Sequence, residues 1–310
     1  MSERPDAGEA FAEATERAAS ELVGAPCTLA VVFAGAAHLG HGEEILAAVR
    51  EGLSPAALIG CGAGGVVGGS RELEEGPAAV VWALSSPNGT AETHVLETHP
   101  VDEGLALGGL PEDPADYGDA LLVLADPNTF STDGLLMHLN AARPGMPVLG
   151  GLASAAAVGS ASLFCDGEVV DAGAVACSLR GIEVLPCVSQ GAAPVGPEMT
   201  VTAAEGNVIT ELASQPALER LREALGDLDD DERELAGEGL LMGVVIDENQ
   251  PDYDRGDFLV RPIVGVDPDS GAVAFGDRVR VGQTVRLHVR DGASADDDLR
   301  EALALGAAAM

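Results

Sequence analysis

The chain has no lysine. All 16 basic residues are arginines, set against 51 acidic residues, for a formal net charge of −35. The missing amine excludes Schiff-base chemistry, a pyridoxal anchor and the lysine of a P-loop. The shortage of cations shapes the surrounding field. Such a surface repels nucleic acid and anionic membranes, and admits a cationic or zwitterionic ligand or a basic partner. No nucleic-acid or membrane partner is therefore expected of this acidic protein. Aromatic residues are also scarce, at 3%, so the core must be built from alanine, valine and leucine. The five cysteines (Cys27, Cys61, Cys165, Cys177 and Cys187) form no C-x-x-C pair. Their odd number and wide spacing read as reduced thiols in a cytoplasmic protein. The charged opening M-S-E-R-P-D-A-G-E has no apolar run, so no signal peptide is expected. The longest uncharged stretches, 52–70 and 144–165, are broken by glycine, alanine and serine and make poor membrane spans.

Glycine, by contrast, is abundant and patterned. Residues 57–70 read A-L-I-G-C-G-A-G-G-V-V-G-G-S, and residues 147–160 read P-V-L-G-G-L-A-S-A-A-A-V-G-S. Each follows or overlaps a short apolar run that reads as a buried strand. Glycine there frees the backbone and permits close approach. The spacing predicts two facing glycine turns, Gly60–Gly65 and Gly150–Ser154.

Periodicity predicts an amphipathic helix over 6–23, a strand over 28–33, a helix over 43–50, a strand over 56–60 and another over 78–84. The pattern restarts with a strand at 120–125, a helix at 132–141 and a strand at 147–150. Ser162–Cys165 and Ala174–Leu179 are expected to pair as a hairpin around the Asp-Gly-Glu turn. Glu43 aligns with Asp133, Val49 with Leu139, and Gly60 with Gly150. The reading is an internal duplication, with repeats at about 28–84 and 119–179. Later come expected strands at 183–189, 200–203, 208–212, 240–246, 258–266, 271–275 and 284–289. Helices are expected at 216–225, capped by Ser214, over the acidic run 226–237, and at 293–305, capped by Ser294. The fold class is α/β. Mixed parallel and antiparallel sheets are expected, with a duplicated β-α-β N-terminal region packed on a C-terminal α+β region. The expected divisions are a helix and lead-in at 1–27, a first domain at 28–212 and a second at 213–310.

Several motifs fail for want of context. Gly60-Cys61-Gly62-Ala63-Gly64-Gly65 matches G-x-G-x-x-G, but no helix start follows it. His38 and His41 lie in a loop without further metal ligands, so no metal is expected. The acidic run 227–234 lacks the alternation and central glycine of a calcium loop. Arg255-Gly256-Asp257 spells an adhesion tripeptide without the extracellular context. Cys61 sits in the first glycine turn, where amides facing the thiolate would make it reactive. His38 follows the neighbouring strand as its one conceivable base, and the packing alternative is a small buried residue. Arg255 and Arg261 lie near or in a strand, where an arginine needs a partner. That partner is either a ligand carboxylate or an internal aspartate such as Asp247, Asp257 or Asp291.

Together these stretches form an ordered set: G-C-G-A-G-G-V, V-L-G-G-L-A-S, V-S-Q-G-A-A-P-V-G, E-G-N-V-I-T-E-L, G-D-F-L-V-R and H-V-R-D-G-A-S-A-D-D-D-L. The set resembles the FIST family (F-box and intracellular signal transduction) over about residues 28–300, across both its N-terminal and C-terminal regions. The resemblance implies a sensory module that binds small molecules such as amino acids, with a signalling protein as a further partner. Some relatives carry an F-box; the N-terminal segment here reads as one short helix. Ala192-Ala193 stand where a cysteine is associated with the family pattern. The expected function is small-ligand binding in sensing or signal transduction, for an amino-acid-like or small carboxylate ligand, without catalysis and without a cofactor. The expected ligand contacts are Cys61, Gly62, Gly64, Gly65, Gly150, Gly151, Ser154, Gln190, Gly191, Asn207, Arg255, Asp257 and Arg261. The alternatives are a protein-interaction scaffold and an enzyme using Cys61 as nucleophile.

Overall fold

A computed structural model describes residues 1–101, 104–154 and 162–309. The chain divides into two compact units, Met1–Val184 and Leu185–Met310. The expected first domain, 28–212, therefore reaches past the first unit into the first hairpin of the second.

The first unit opens with α1 (Ala7–Glu21), whose first turn is capped by the Asp6 carboxylate accepting from the Glu9 N–H at 2.9 Å. Ala7, Ala10, Phe11 and Ala14 form its buried face. Then follow β1 (Leu29–Gly35), a 3-10 turn (Ala36–His41), α2 (Gly42–Leu53), β2 (Ala57–Ala63), the short ribbon β3 (Val66–Gly68) and β4 (Arg71–Leu73), and β5 (Ala79–Leu84). A long strand β6 (Thr90–Val101) pairs with β7 (Gly104–Gly108). The remainder is β8 (Ala120–Ala125), α3 (Thr132–Ala142), β9 (Val148–Leu152), β10 (Leu163–Cys165), β11 (Glu168–Val170) and β12 (Ala174–Arg180).

These strands make two five-stranded sheets, ordered β11-β10-β2-β1-β5 and β7-β6-β12-β8-β9. Each contains one parallel pair, β1 with β2 and β8 with β9, joined through a helix; the other pairings are antiparallel. The sheets pack face to face on a shared layer that includes Leu29, Val31, Ile59, Cys61, Leu124, Leu163, Val175 and Cys177. Alternate strand residues point outward: Ala30, Val32 and Leu58 to α1 and α2, and Leu121 and Val123 to α3. The two-residue period thus feeds both a sheet–sheet and a sheet–helix layer.

Two expectations are corrected here. Four of the glycines expected in turns lie in strands, while Gly64 and Gly65 do form the bend after β2. Gly60 and Gly62 lie inside β2, and Gly150 and Gly151 inside β9. The reason is close approach of the main chain. A Cβ on Gly60 would strike the Val32 carbonyl oxygen, and one on Gly150 the Val123 carbonyl oxygen. The two glycines occupy matching registers, Gly60 opposite Val32 and Gly150 opposite Val123. The expected hairpin is also rearranged. Ser162–Cys165 does not pair with Ala174–Leu179. β10 turns at Asp166-Gly167 into β11 and joins the first sheet beside β2, while β12 enters the second sheet between β6 and β8. The Asp166 carboxylate ties the two sheets together, accepting from the Leu58 N–H (3.0 Å) and from the Thr93 hydroxyl (2.6 Å).

The second unit contains β13 (Ala193–Glu205), β14 (Val208–Leu212), β15 (Gln215–Pro216), α4 (Ala217–Gly226), α5 (Asp230–Glu238), β16 (Leu240–Val245), β17 (Phe258–Asp267), β18 (Ala272–Phe275), β19 (Thr284–Val289) and α6 (Gly292–Ala309). Its sheet is antiparallel, in the order β13-β19-β16-β17-β18-β14-β15, and a further β13–β14 pairing closes it on itself. Register shifts in β13 and β17 let each long strand bend and serve two neighbours. Leu218, Leu221 and Ala224 of α4 fill the core beside Met199, Ile209, Met242, Phe275 and Leu287. Residues 183–189 are not a strand; Pro186 lacks the N–H that a ladder would use. Ser214 does not cap α4, which begins after Pro216 without a side-chain cap. The turn of chain entering α6 is held by the Asp291 carboxylate, which accepts from the Ser294 N–H and hydroxyl, rather than by Ser294 as acceptor.

Candidate functional site

The first unit holds a cavity of about 360 Å³ between its two sheets. It lies at the carboxyl ends of the two parallel pairs, where ligands of open α/β sheets bind. Val31 and Phe33 of β1, Cys61, Gly62 and Ala63 of β2, Leu122 and Leu124 of β8, and Gly150, Gly151 and Leu152 of β9 line it. Gly65, Val66, Val67 and Ser154 close its rim. Six of the seven expected contacts in this unit therefore share one cavity. The seventh, Gly64, donates its N–H to the Ser154 Oγ at 3.0 Å.

Several amides of the rim are engaged within the unit. The Gly62 N–H donates to the Ser162 carbonyl (2.9 Å) and the Ser154 N–H to the Gly62 carbonyl (3.3 Å). With Gly64 bound to Ser154, three rim amides are already used. Burial pushes the Cys61 thiol up to about 12. No hydrogen bond from a histidine to Cys61 is present among the described residues. His38 is fully buried on the other side of the sheet, edge-on to Phe11 at 6.0 Å. His41 is exposed and meets Glu44 at 3.1 Å. No cluster of metal-ligating side chains occurs among the described residues.

The second unit has its own cavity, of about 320 Å³, lined by Val188, Gln190, Leu241, Leu259, Val260, Arg261, Pro262 and Arg290. Arg261 donates to the Val260 carbonyl at 3.0 Å and stands 3.7 Å from the Asp277 carboxylate, not from Asp247, Asp257 or Asp291. Arg290 has no ion pair among the described residues. Gln190 donates its amide N–H to the Phe258 carbonyl at 2.5 Å. The V-S-Q-G segment is fixed by one carboxylate of α6. Asp298 accepts from the Ser189 hydroxyl (2.6 Å) and from the Gln190 (2.9 Å) and Gly191 (3.4 Å) amides. Burial works against the Asp298 charge, but these three donors outweigh it and hold its carboxyl below the usual range.

The remaining expected contacts lie elsewhere in this unit. Asn207 donates to the Phe275 carbonyl (2.9 Å) and braces a hairpin. Arg255 donates to the Ser294 carbonyl (3.2 Å), and the Asp257 carboxylate accepts from the Asp254 N–H (2.8 Å). None of the three lines the second cavity. Sequence reasoning missed Asp298 as a positioning residue, because an aspartate in a D-D-D run at a helix start reads as a charge favourable to the helix. It also left Arg290, which closes the last strand beside Asp291, out of the expected contacts.

The architecture is thus two compact units, each with a cavity of small-molecule size. The sequence pattern of the FIST N domain matches residues 28–215, and that of the FIST C domain matches residues 217–310. The chain belongs to the FIST family, whose domains are associated with signal transduction and sensing. It is 42% identical over 311 residues to the uncharacterized protein Rv0628c of Mycobacterium tuberculosis, covering 100% of this chain and 80% of that one. It is 40% identical over 297 residues to the uncharacterized protein Mb0898c of Mycobacterium bovis, covering 96% and 76% respectively. No helix among the described residues is long and apolar enough to cross a membrane.

Proposed function

We propose that this FIST protein is a sensory binder of an amino-acid-like or small carboxylate ligand, held in the cavity of the second unit. One observation carries the reading. Two guanidiniums, Arg261 and Arg290, and the Gln190 amide line a single cavity whose other walls are Val188, Leu241, Leu259 and Pro262. Guanidinium is the group suited to a carboxylate, and the apolar walls suit a short hydrocarbon body. Because the protein carries −35, an anion approaches only where local arginines overcome the general field. Asp298 supports the arrangement by fixing the segment that carries Gln190. The matched registers of Gly60 and Gly150 also support the reading of the first unit as an internal duplication.

The test is a thermal-shift and calorimetric screen of amino acids and small monocarboxylates against the whole chain. A binding carboxylate should raise the melting temperature. Its affinity should fall by about 10-fold or more in both Arg261→Ala and Arg290→Ala, as charge-assisted hydrogen bonds are worth roughly 1.5–3 kcal/mol. Binding that survives both changes, or no binding by any member of the screen, defeats the proposal.

A further inference from the structure

We propose that the inter-sheet cavity of the first unit is a separate binding site for an uncharged, largely hydrocarbon molecule bearing one hydrogen-bond acceptor. Its volume of about 360 Å³ falls within the range of about 300–1,000 Å³ typical of small-ligand pockets. Among the described residues no charged side chain lines it. A carboxylate placed here would lose its hydration without gaining a cation, which is costly. The ligand class thus differs from that of the second unit.

Two residues show that the space is kept open and has a polar anchor. Gly150 needs to be glycine, because a Cβ would enter the Val123 main chain and its φ is +136°. Gly151 has neither reason. Its φ lies outside the left-handed region, and a Cβ built on it meets nothing within 4 Å among the described residues. A larger residue at 151 would occupy the space beside the cavity that glycine leaves free. Ser154 supplies the anchor. Its Oγ already accepts from the Gly64 N–H, which leaves the hydroxyl proton to donate to a ketone, ether or hydroxyl oxygen. Cys61, on the facing sheet, contributes a neutral thiol and tolerates an apolar neighbour.

The probes are p-cresol and its charged counterpart 4-methylbenzoate, titrated calorimetrically into the whole chain. The double variant Arg261→Ala/Arg290→Ala serves as the background for 4-methylbenzoate, so that both guanidiniums of the second unit are removed. The expected result is measurable p-cresol binding, with 4-methylbenzoate at least 10-fold weaker. Gly151→Leu should weaken p-cresol at least 10-fold and Ser154→Ala about fivefold, the value of one ordinary hydrogen bond. Arg261→Ala should leave p-cresol binding unchanged, so this proposal and the carboxylate proposal fail independently. Should Gly151→Leu not fold, Val67→Trp at the exposed rim replaces it as the blocking variant. No p-cresol binding overturns the inference. So does binding indifferent to the blocking variant that folds, or 4-methylbenzoate binding as tight as that of p-cresol.

Discussion

The two units solve the sheet-edge and cavity problems in opposite ways. The first stacks two open sheets and leaves its cavity where the parallel strands end. The second closes one antiparallel sheet on itself by the β13–β14 pairing and fills the interior with α4 and large side chains. A closed sheet has few free edges and a packed centre. Its cavity is therefore peripheral and carries arginines. The open stack keeps a space between its sheets, bounded mostly by glycine, alanine and aliphatic residues. The difference teaches that glycine in the first unit and arginine in the second line the two cavities for separate physical reasons. Glycine there either permits close main-chain approach or leaves space, while arginine supplies charge.

The sharpest way to break that comparison is to separate the two kinds of glycine. Gly150→Ala forces a Cβ into the Val123 main chain at a φ that alanine rarely adopts. Backbone strain and overpacking together should cost roughly 2–5 kcal/mol. Gly151→Ala, one residue on, should change stability by no more than about 0.5–1 kcal/mol, from unfolded-chain entropy alone. Trp82 is the chain's single tryptophan and lies in the first unit, so denaturant titration by its fluorescence reports this unit. Equal losses in both variants would show that glycine at 151 is required by packing, and would remove the distinction.

A smaller effect is expected in the second unit. Asp298→Ala removes the acceptor of three hydrogen bonds that fix Ser189, Gln190 and Gly191. The loss should be about 2 kcal/mol, since hydrogen bonds to a charged acceptor exceed neutral ones and the freed donors regain water. It should also weaken carboxylate binding by freeing Gln190. The lowered carboxyl pKa sets the pH sign. Stability from this group is full above the ordinary aspartate value of about 3.9 and is lost as pH falls through the lower folded value. Asp298→Ala should therefore flatten the acid limb of the stability curve. An unchanged melting temperature together with unchanged carboxylate affinity would show that the segment holds its shape without Asp298.

Much of this contrast was legible in the sequence, for physical reasons that also mark where legibility ended. Ile45, Leu46 and Val49 recur at helical spacing, and all three are buried in α2. Phe258–Val266 is a largely apolar run rich in valine and isoleucine, which reads as a strand, and β17 runs Phe258–Asp267. Gly60 and Gly150 stood out at once, but a glycine after an apolar run reads as a turn by default. What holds them in extended strands is a carbonyl from the neighbouring strand, and that neighbour is a tertiary fact. The pairing of β10 with β2, across about a hundred residues of chain, is equally invisible locally, because the Asp-Gly turn only shows that some hairpin exists. The arginine reading had the opposite limit. Arg261 was marked by its chemistry, yet its companion Arg290 belongs to another strand end, and only the antiparallel order brings the two to one cavity.

The smallest expected effect concerns a buried group that neither cavity uses. His38 is fully buried, and neither ring nitrogen has a hydrogen-bond partner among the described residues. Burial lowers its pKa, aided by the charge of His41, and the charge of Asp6 with a weak backbone interaction at Arg4 does not offset this. His94 is also lowered by burial but keeps the Ser178 hydroxyl as a partner at 2.8 Å. A histidine held neutral in the fold binds its proton more readily when unfolded. Its contribution is therefore full above the unfolded value of about 6.5, and is lost as pH falls from there toward the lower folded value. His38→Met removes two unpaired polar atoms while keeping an adaptable apolar side chain. It should stabilise the first unit by about 1 kcal/mol at pH 7. Between pH 6.5 and 5 the variant should lose less stability than the parent, with a residual slope from His94. Trp82 fluorescence across that range measures both terms. If variant and parent lose stability in parallel, protonation of His38 is not what couples the first unit to acid.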